Sequence, residues 1–357
     1  MKQVLVCWFA LVPIFSFSQI NASELKSSAF VDLPLELDST NLSDKISLSG
    51  FSMLDARDDS SDIGYFIKKT GITLNKRTLQ RYRFDRGFVP SLTGWFTHYL
   101  HVDGQNRSGI TLFANIKKLR YSEQIIPVTI GGRESQPNTG WWDEGVIIKI
   151  EYFLLKDSLF SPLYRYDSIL AVPEVAGFST GAFFKAALIS SVKKIFTLNL
   201  DSAIAVGRKL HYSDILRINN QRYKFPVYEA TVYNKGVYKT FEEFKMNVPF
   251  IKQYEFKSGK LGDILYVTEN GKEFPVRDVW GYCDGKEFYI NSGDKYSRLE
   301  RTGNGFYFEG IKSLTRVQRT PVGQSYFDAK TTSGLKETKF KKYISVFQVD
   351  METGEVY

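Results

Sequence analysis

The alternation of apolar and polar residues is most regular between residues 146 and 200. Residues 146–155 form a run rich in β-branched and aromatic side chains, which is typical of a strand buried on most of both faces. Residues 183–196 instead place apolar side chains at steps of three and four, which predicts an amphipathic helix. The apolar side of that helix is formed by Phe184, Leu188, Val192, Ile195 and Phe196. We predict that this strand and helix form the core of a first domain.

Weaker patterns on both sides complete this domain. Apolar runs predict further strands at residues 45–54, 109–120 and 167–175. Helical spacing predicts a helix from about Pro90, and residues 211–217 indicate a brief helix or turn. The apolar residues of the helix after Pro90 are Leu92, Trp95, Phe96, Tyr99 and Leu100. The resulting order of strands and helices predicts an α+β fold, with helices on one face of a mixed sheet.

The pattern changes at about residue 226. Short aromatic and β-branched runs alternate with turn signals such as Asn270-Gly271 and Asp284-Gly285, which predicts an antiparallel β-meander. The predicted strands lie at residues 264–268, 276–283, 287–290, 296–302, 306–311 and 340–349. Before them, Thr240-Phe241-Glu242-Glu243 has the pattern of a capping box and predicts a short helix that ends before Pro249.

The N-terminal residues have the pattern of a secretory signal. Lys2 precedes an apolar stretch over residues 4–17, and Ser16-Phe17-Ser18 offers small residues at a signal peptidase site. We predict cleavage near Ser18 and Gln19, and an exported protein in the periplasm or at the outer membrane, with no membrane span in the mature chain. The predicted organisation is a signal at 1–18, a polar leader with little structure at 19–44, the α+β domain at 45–225 and the meander at 226–357.

The cysteines and the net charge limit which disulfides and which binding partners are expected. Cys7 lies in the predicted signal, so Cys283 is the one cysteine left in the mature chain and is interpreted as a small buried apolar residue.

The net charge is +8, and residues 65–120 contain eleven lysines and arginines but only two aspartates. The candidate binding residues in this basic region are Lys68, Lys69, Arg77, Arg81, Arg83, Lys117 and Lys118. Such a face suits an anionic envelope surface or an acidic protein, and the alternative is a solvated face without a ligand. Nucleic acid is a poor candidate for an exported protein.

Two tryptophans form a second candidate binding site. Trp141 and Trp142 end a loop over residues 127–144 that is rich in Gly, Asn and Pro. Adjacent indole rings can stack on a sugar, while the alternative is that one ring anchors the loop to the core.

A metal site is not indicated. Four aspartates lie within residues 55–62, but their spacing does not match an EF-hand loop, so we interpret them as a turn with capping aspartates. His98 and His101 are three residues apart without a zinc-ligand set nearby. No P-loop or G-x-G-x-x-G motif occurs, and no cofactor is predicted.

One motif suggests an enzyme. Gly177-Phe178-Ser179-Thr180-Gly181 matches G-x-S-x-G between a predicted strand and a predicted helix, and Asp201 and His211 follow in the order of a hydrolase triad. However, His211 follows Ser179 too closely for the strand–helix units of an α/β-hydrolase, and no oxyanion segment is found. We therefore favour a helix cap at Ser179 or Thr180, and keep a serine hydrolase as the alternative.

Two resemblances can be drawn. The run Leu54-Asp55-Ala56-Arg57-Asp58-Asp59 after a first strand, with a long strand before an amphipathic helix, resembles small envelope lipoproteins and the auxiliary lipoproteins of transport complexes, although the lipid-bearing cysteine is absent. The runs at 236–244, 279–285 and 350–354 resemble uncharacterised secreted proteins of Gram-negative, Bacteroidota-type bacteria, a resemblance that implies no activity. The sequence thus predicts a non-enzymatic envelope protein that binds another envelope component.

Overall fold

The three-dimensional structure is a computed structural model that describes most of the chain. The described residues are 22–35, 37, 48–70, 76–102, 109–122, 144–172, 179–259, 262–269, 271–292, 295–314 and 341–356.

The described residues contain seven α-helices and sixteen strands. The helices are α1 (Ala22–Ser27), α2 (Phe88–Tyr99), α3 (Thr180–Lys193), α4 (Leu200–Val206), α5 (Tyr212–Gln221), α6 (Pro226–Glu229) and α7 (Phe241–Lys245). The first strands are β1 (Ala29–Leu33), β2 (Gly50–Asp55), β3 (Tyr65–Thr70), β4 (Lys76–Phe84), β5 (Thr111–Ser122), β6 (Glu144–Lys156), β7 (Leu159–Val172) and β8 (Gly236–Tyr238). The later strands are β9 (Glu255–Gly259), β10 (Gly262–Glu269), β11 (Lys272–Val276), β12 (Gly281–Cys283), β13 (Phe288–Asn291), β14 (Tyr296–Thr302), β15 (Gly305–Leu314) and β16 (Lys341–Val349).

The first half is built on a four-stranded mixed sheet in the order β2-β5-β6-β7, in which β2 and β5 are parallel. Helices α2 and α3 cover one face, and the largest apolar cluster lies between them and the sheet. The predicted helices are confirmed because Trp95 and Phe96 of α2 and Phe184 and Leu188 of α3 are fully buried. Helix α5 lies on the opposite face, where Ile215 packs with Phe113, so the helices are not confined to one face as predicted.

Two further predictions for the first half differ from the structure. The leader predicted to have little structure contains α1 and β1, and β1 pairs with β4 in the parallel direction to form the sheet β1-β4-β3. Leu25 of α1 is fully buried against Tyr65 and Tyr307. The strand predicted at residues 167–175 begins earlier, because β7 continues the hairpin with β6 along its whole length.

The C-terminal meander is confirmed. Six antiparallel strands follow the order β16-β15-β14-β13-β12-β8. The strand predicted at residues 276–283 is divided between β11 and β12, and β11 belongs to a separate antiparallel sheet, β11-β10-β9. One face of the meander buries Phe244, Phe288 and Phe306.

The α+β class predicted from sequence is confirmed by these helices, mixed sheets and antiparallel sheets. Within the described residues, no helix is long and apolar enough to cross a membrane.

Candidate binding surface

Two lysines of the predicted basic face are buried, so that part of the prediction is wrong. Lys117 and Lys118 lie in β5, next to a register shift between Ile116 and Lys118 that adds a residue to the strand. The Lys117 ammonium binds the carboxylate of Glu151 at 2.5 Å, and the Lys118 ammonium binds Asp350 at 2.9 Å. Both charges are therefore held by acidic partners inside the protein.

Arg81 is also turned inward. Its guanidinium donates to the carbonyl oxygens of Lys26 and Ser28, at 2.8 and 3.0 Å, and its side chain is buried. These bonds satisfy carbonyl groups at the end of α1, which has too few residues to satisfy them itself. Arg83 lies at the surface and pairs with Asp32 at 2.6 Å. Of the predicted binding residues whose side chains are described, Arg83 alone is exposed.

The remaining predicted residues are not tested. The backbones of Lys68, Lys69 and Arg77 lie in the antiparallel pair β3–β4, where Lys69 is opposite Arg77, but their side chains are outside the described part of the structure. Trp141 and Trp142 also lie outside the described residues.

The buried lysines belong to an ionic cluster between the first sheet and the C-terminal chain. Asp350 accepts from both Lys118 and Lys149, at 2.9 and 3.0 Å, and Glu352 pairs with Arg222. Burial alone would raise the pKa of Asp350, but the two ammonium groups outweigh it and hold that pKa well below its ordinary value. Burial likewise tends to raise the pKa of Glu352, but the positive charges of Arg222 and Lys149 together lower it below its ordinary value.

The cleft beside this cluster has room for about one water molecule. Its polar lining is already paired, and it offers no volume for an organic ligand. We interpret this cluster as a junction that holds the two halves of the chain together.

The acidic loop, residues 55–62, contacts the C-terminal half at the same junction. Asp58 accepts from the side chain of Gln348 at 2.7 Å, and Asp59 accepts from the Tyr307 hydroxyl at 3.0 Å, which ties the loop to β15 and β16. Asp62 is buried beside Arg120, 3.4 Å from its guanidinium. Asp58 and Asp59 therefore bind the C-terminal sheet. The predicted turn with capping aspartates is also formed, because Asp59 accepts from the Ser61 amide at 2.9 Å and Asp62 from the Gly64 amide at 3.0 Å. Within the described residues no group of three acidic, histidine or cysteine side chains is arranged for a metal.

The three residues of the alternative triad have separate local roles. The Ser179 hydroxyl caps α3 by accepting from the Ala182 amide at 3.4 Å, as the capping interpretation expected. Asp201 is exposed in the first turn of α4, and His211 precedes α5, where its amide donates to Asp214 at 3.1 Å.

The first part of the triad lies at one end of the β6–β7 hairpin. Thr180, next to Ser179, places its hydroxyl 3.5 Å from that of Tyr82. The Tyr82 ring packs edge-on against Tyr121, with a centroid separation of 5.3 Å. Tyr121 is opposite Val146 in the sheet, so Ser179 lies near the Val146 end of β6.

The histidine lies at the other end. Leu210, the residue before His211, exchanges backbone hydrogen bonds of 2.9 Å with Phe160, and Phe160 is opposite Leu155. Val146 and Leu155 are nine residues apart on one strand, or about 30 Å at ~3.3 Å per residue. A nucleophile and its base must be within about 3 Å, so Ser179 and His211 do not form a triad.

An exposed group of apolar side chains does exist in the C-terminal half. Met246, Val248 and Phe250 are 50%, 57% and 64% exposed, and they alternate with the buried residues Asn247 and Pro249. We call residues 246–250 the apolar loop. Three neighbouring apolar side chains that the fold does not bury are typical of a protein interaction site.

The backbone of the apolar loop is fixed by the end of α7. Asn247 has a φ of 53°, the left-handed conformation that ends many helices. The Asn247 amide donates to Phe244 O and the Val248 amide to Glu243 O, both at 2.9 Å, which completes a Schellman motif.

A polar network centred on the buried side chain of Asn247 supports the loop. The Asn247 side-chain oxygen accepts from the Asn234 amide at 3.0 Å, and the Asn234 side chain donates to Asn247 O at 2.6 Å. The Tyr238 hydroxyl lies 3.0 Å from the side-chain oxygen of Asn247. Pro249 is buried against Gly236, where any side chain would collide with its ring. The three exposed side chains are thus presented by a rigid support.

The polar rim of the apolar loop contains both signs of charge. The Lys239 ammonium lies 3.7 Å from the centre of the Phe250 ring, and Lys252 is exposed two residues further on. Glu242 is exposed and pairs with Lys245 at 2.9 Å. An apolar centre with a rim of mixed charge is the usual composition of a protein–protein interface.

Cys283 follows its sequence interpretation. The side chain is fully buried, and burial raises the pKa of its thiol to about 11. A thiol so rarely ionised at neutral pH is a poor nucleophile.

Sequence reasoning missed the apolar loop. Pro249 correctly marked the end of α7, but the alternation of Met246, Val248 and Phe250 equals that of a half-buried strand, and sequence does not show which face is covered.

Comparisons with known proteins assign neither family nor function. No family model matches this chain, and no curated protein matches it. One solved structure is similar over part of the chain: a Xanthomonas campestris protein described by the family label DUF330, with 10% identity and a TM-score of 0.29 over 46% of this chain and 92% of that one. A likeness at that level carries no argument about fold or activity, and the resemblances drawn from sequence stay predictions.

Proposed function

We propose that this protein is an exported binding protein of the cell envelope that docks a partner protein through the apolar loop. The observation that carries the proposal is the rigid exposure of Met246, Val248 and Phe250. Interfaces draw most of their affinity from a few apolar or aromatic anchors that become fully buried. Phe250 is the largest such anchor in the loop.

Rigidity supports a binding role. Ordering a flexible loop on binding costs free energy, whereas the Schellman motif and the network of Asn234, Tyr238 and Asn247 order this one in advance. The same network uses the buried side chain of Asn247 to hold a surface segment that contributes no core.

The chemistry of the rim favours a protein partner over a lipid surface. Binding to anionic lipid requires an excess of lysine or arginine around the apolar residues. Here Lys239, Lys245 and Lys252 are accompanied by Glu242 and Glu243, which leaves a surplus of only one positive charge. Lys117, Lys118 and Arg81 of the predicted basic face are inside the protein. The expected partner is therefore a protein with an apolar pocket and polar edges.

Export rests on the sequence of residues 1–18, which lie outside the described residues. N-terminal sequencing of the protein from its native host checks it: a mature chain that begins at Gln19 supports export, and a chain that retains Met1 in the cytoplasm contradicts it.

The docking role is tested with a photo-crosslinking amino acid placed at Val248 and, as a matched control, at Val206, an exposed residue of α4. Irradiation of intact envelopes should join position 248, and not position 206, to a defined protein, which mass spectrometry identifies. With that protein purified, Phe250→Ser should weaken binding by at least about tenfold. Val206→Ser should bind like the wild type.

Three results would contradict the proposal. Crosslinks to lipid alone would assign the loop to a membrane surface. Equal crosslinking at both positions would show non-specific contact. Unchanged affinity in Phe250→Ser, with an unchanged circular dichroism spectrum, would place the partner elsewhere.

A further inference from the structure

Strand β7 has an open edge. On one side it pairs with β6 along its length. On the other side Phe160 exchanges hydrogen bonds with Leu210, and within the described residues no other backbone partner lies beyond that point of β7. A long edge with free amide and carbonyl groups is a template for another strand.

Only part of this edge is regular. The register shifts between Tyr152 and Phe153, which makes Leu163 an extra residue in β7, and Pro162 has no amide hydrogen. The regular stretch therefore begins at Tyr164 and continues to Val172.

The side chains of this stretch alternate between two environments. Tyr164 and Tyr166 pack against the first core, while Arg165 and Asp167 are exposed on the opposite face and pair with each other at 2.9 Å. Two exposed opposite charges thus lie two residues apart on one face of an edge strand.

We propose that this protein forms a homodimer in which the β7 strands of two copies pair antiparallel, with the two-fold axis at Tyr166. In that register Arg165 of each copy lies opposite Asp167 of the other, because cross-strand partners share a face of the sheet. The four charges alternate around the axis, and each arginine has an aspartate on its own strand and another across the interface.

Charge complementarity selects both the occupant and the register. A two-fold axis perpendicular to a sheet must pass through a residue position, since otherwise inward and outward side chains would be opposite each other. An axis at Arg165 would oppose two arginines, and an axis at Asp167 would oppose two aspartates. An axis at Ser168 would place both charges opposite apolar residues. Only the axis at Tyr166 pairs unlike charges directly.

The result is one continuous eight-stranded sheet, made of β2-β5-β6-β7 from each copy. The regular stretch of β7 begins at Tyr164, and in this register Tyr164 lies opposite Ser168 of the other copy. The backbone pairing therefore spans residues 164–168, about five residues per strand, which is an ordinary strand length. This dimer does not involve the apolar loop, and its success or failure is independent of the proposed function.

A single cysteine tests the axis. Cα atoms directly opposite in an antiparallel pair are about 4.5–5.5 Å apart, within the range of a disulfide. Tyr166→Cys should therefore give a covalent dimer on mild oxidation. Ser168→Cys is the matched control, since its two copies would lie about 14 Å apart along the strands. Cys283 is buried, and the wild type should stay uncrosslinked.

Charge reversal tests the contacts by analytical ultracentrifugation. Arg165→Asp and Asp167→Arg should each weaken the dimer by about tenfold, while the double exchange should restore it. Higher salt should weaken the wild-type dimer.

A monomeric wild type from micromolar to millimolar concentration would overturn the proposal. A dimer crosslinked by Ser168→Cys and not by Tyr166→Cys would overturn the register. A dimer that is unaffected by either single reversal would place the contact on another surface.

Discussion

Lys118 and Asp350 form a buried ion pair of 2.9 Å although 232 residues separate them in the chain. Both side chains are about 5% exposed. Lys149, on the neighbouring strand, binds the same carboxylate at 3.0 Å. One aspartate from the C-terminal part thus binds a lysine on each of two neighbouring strands of the first sheet.

Removing this carboxylate should destabilise the protein strongly. Asp350→Asn would remove the carboxylate that the buried ammonium groups of Lys118 and Lys149 share, and leave Glu352 at 3.7 Å from Lys149. Loss of one partner of a buried pair costs about 3–5 kcal/mol. Urea unfolding at neutral pH measures the change. Asp32→Asn is the control, because its exposed pair with Arg83 should contribute little. Equal stability of both variants would mean that the buried cluster contributes nothing to the free energy of unfolding.

The same cluster should make the protein sensitive to acid. The pKa values of Asp350 and Glu352 are lowered in the folded state, while in the unfolded chain they lie at about 4. A lowered folded pKa contributes stability above the unfolded value, and that contribution is lost as the pH falls towards the folded value. The free energy of unfolding should therefore drop below about pH 5. A shallower drop is expected in Asp350→Asn, and an identical pH profile would contradict this assignment.

Asn247 should control the rigidity of the apolar loop. Asn247→Ala loses the bonds from Asn234 and Tyr238 and adds a left-handed alanine, with a combined cost of about 2–4 kcal/mol. Asn247→Gly loses the same bonds without the backbone strain, so it should be less destabilising. Hydrogen exchange at residues 246–250 should accelerate in both. Unchanged exchange would show that the network does not hold the loop.

Ser179 should behave as a helix cap. Ser179→Ala should cost about 1 kcal/mol or less, because the bond to the Ala182 amide is long at 3.4 Å. A fluorophosphonate probe should not label the wild type. Labelling that disappears in Ser179→Ala would revive the hydrolase interpretation, despite the separation of Ser179 from His211.

Much of the fold follows from local pattern. The helical spacing of Phe184 and Leu188 predicted α3, because only one side of that helix can meet the sheet. Turn residues such as Asn270-Gly271 and Asp284-Gly285 predicted the meander, and Gly271 and Gly285 do adopt positive φ values of 73° and 102°.

The prediction that Lys117 and Lys118 belong to an exposed basic face was wrong for a physical reason. Lysines in a strand usually mark solvent, and the pattern around Lys117 and Lys118 carries no sign of acids that arrive much later in the chain. The register shift at Ile116 also changes which residues of β5 share a face. Burial of charge depends on long-range pairing, which local pattern does not encode.

The placement of Asp350 also bears on the order of folding. Lys118 and Lys149 are synthesised long before the carboxylate that neutralises them, and contacts of such sequence separation form slowly. Until residues 341–352 dock, the first sheet presents two ammonium groups that no acid of the C-terminal segment has yet reached. We expect a late folding intermediate that exposes this face to solvent and to chaperones, and whose lifetime is set by the arrival of the final strand.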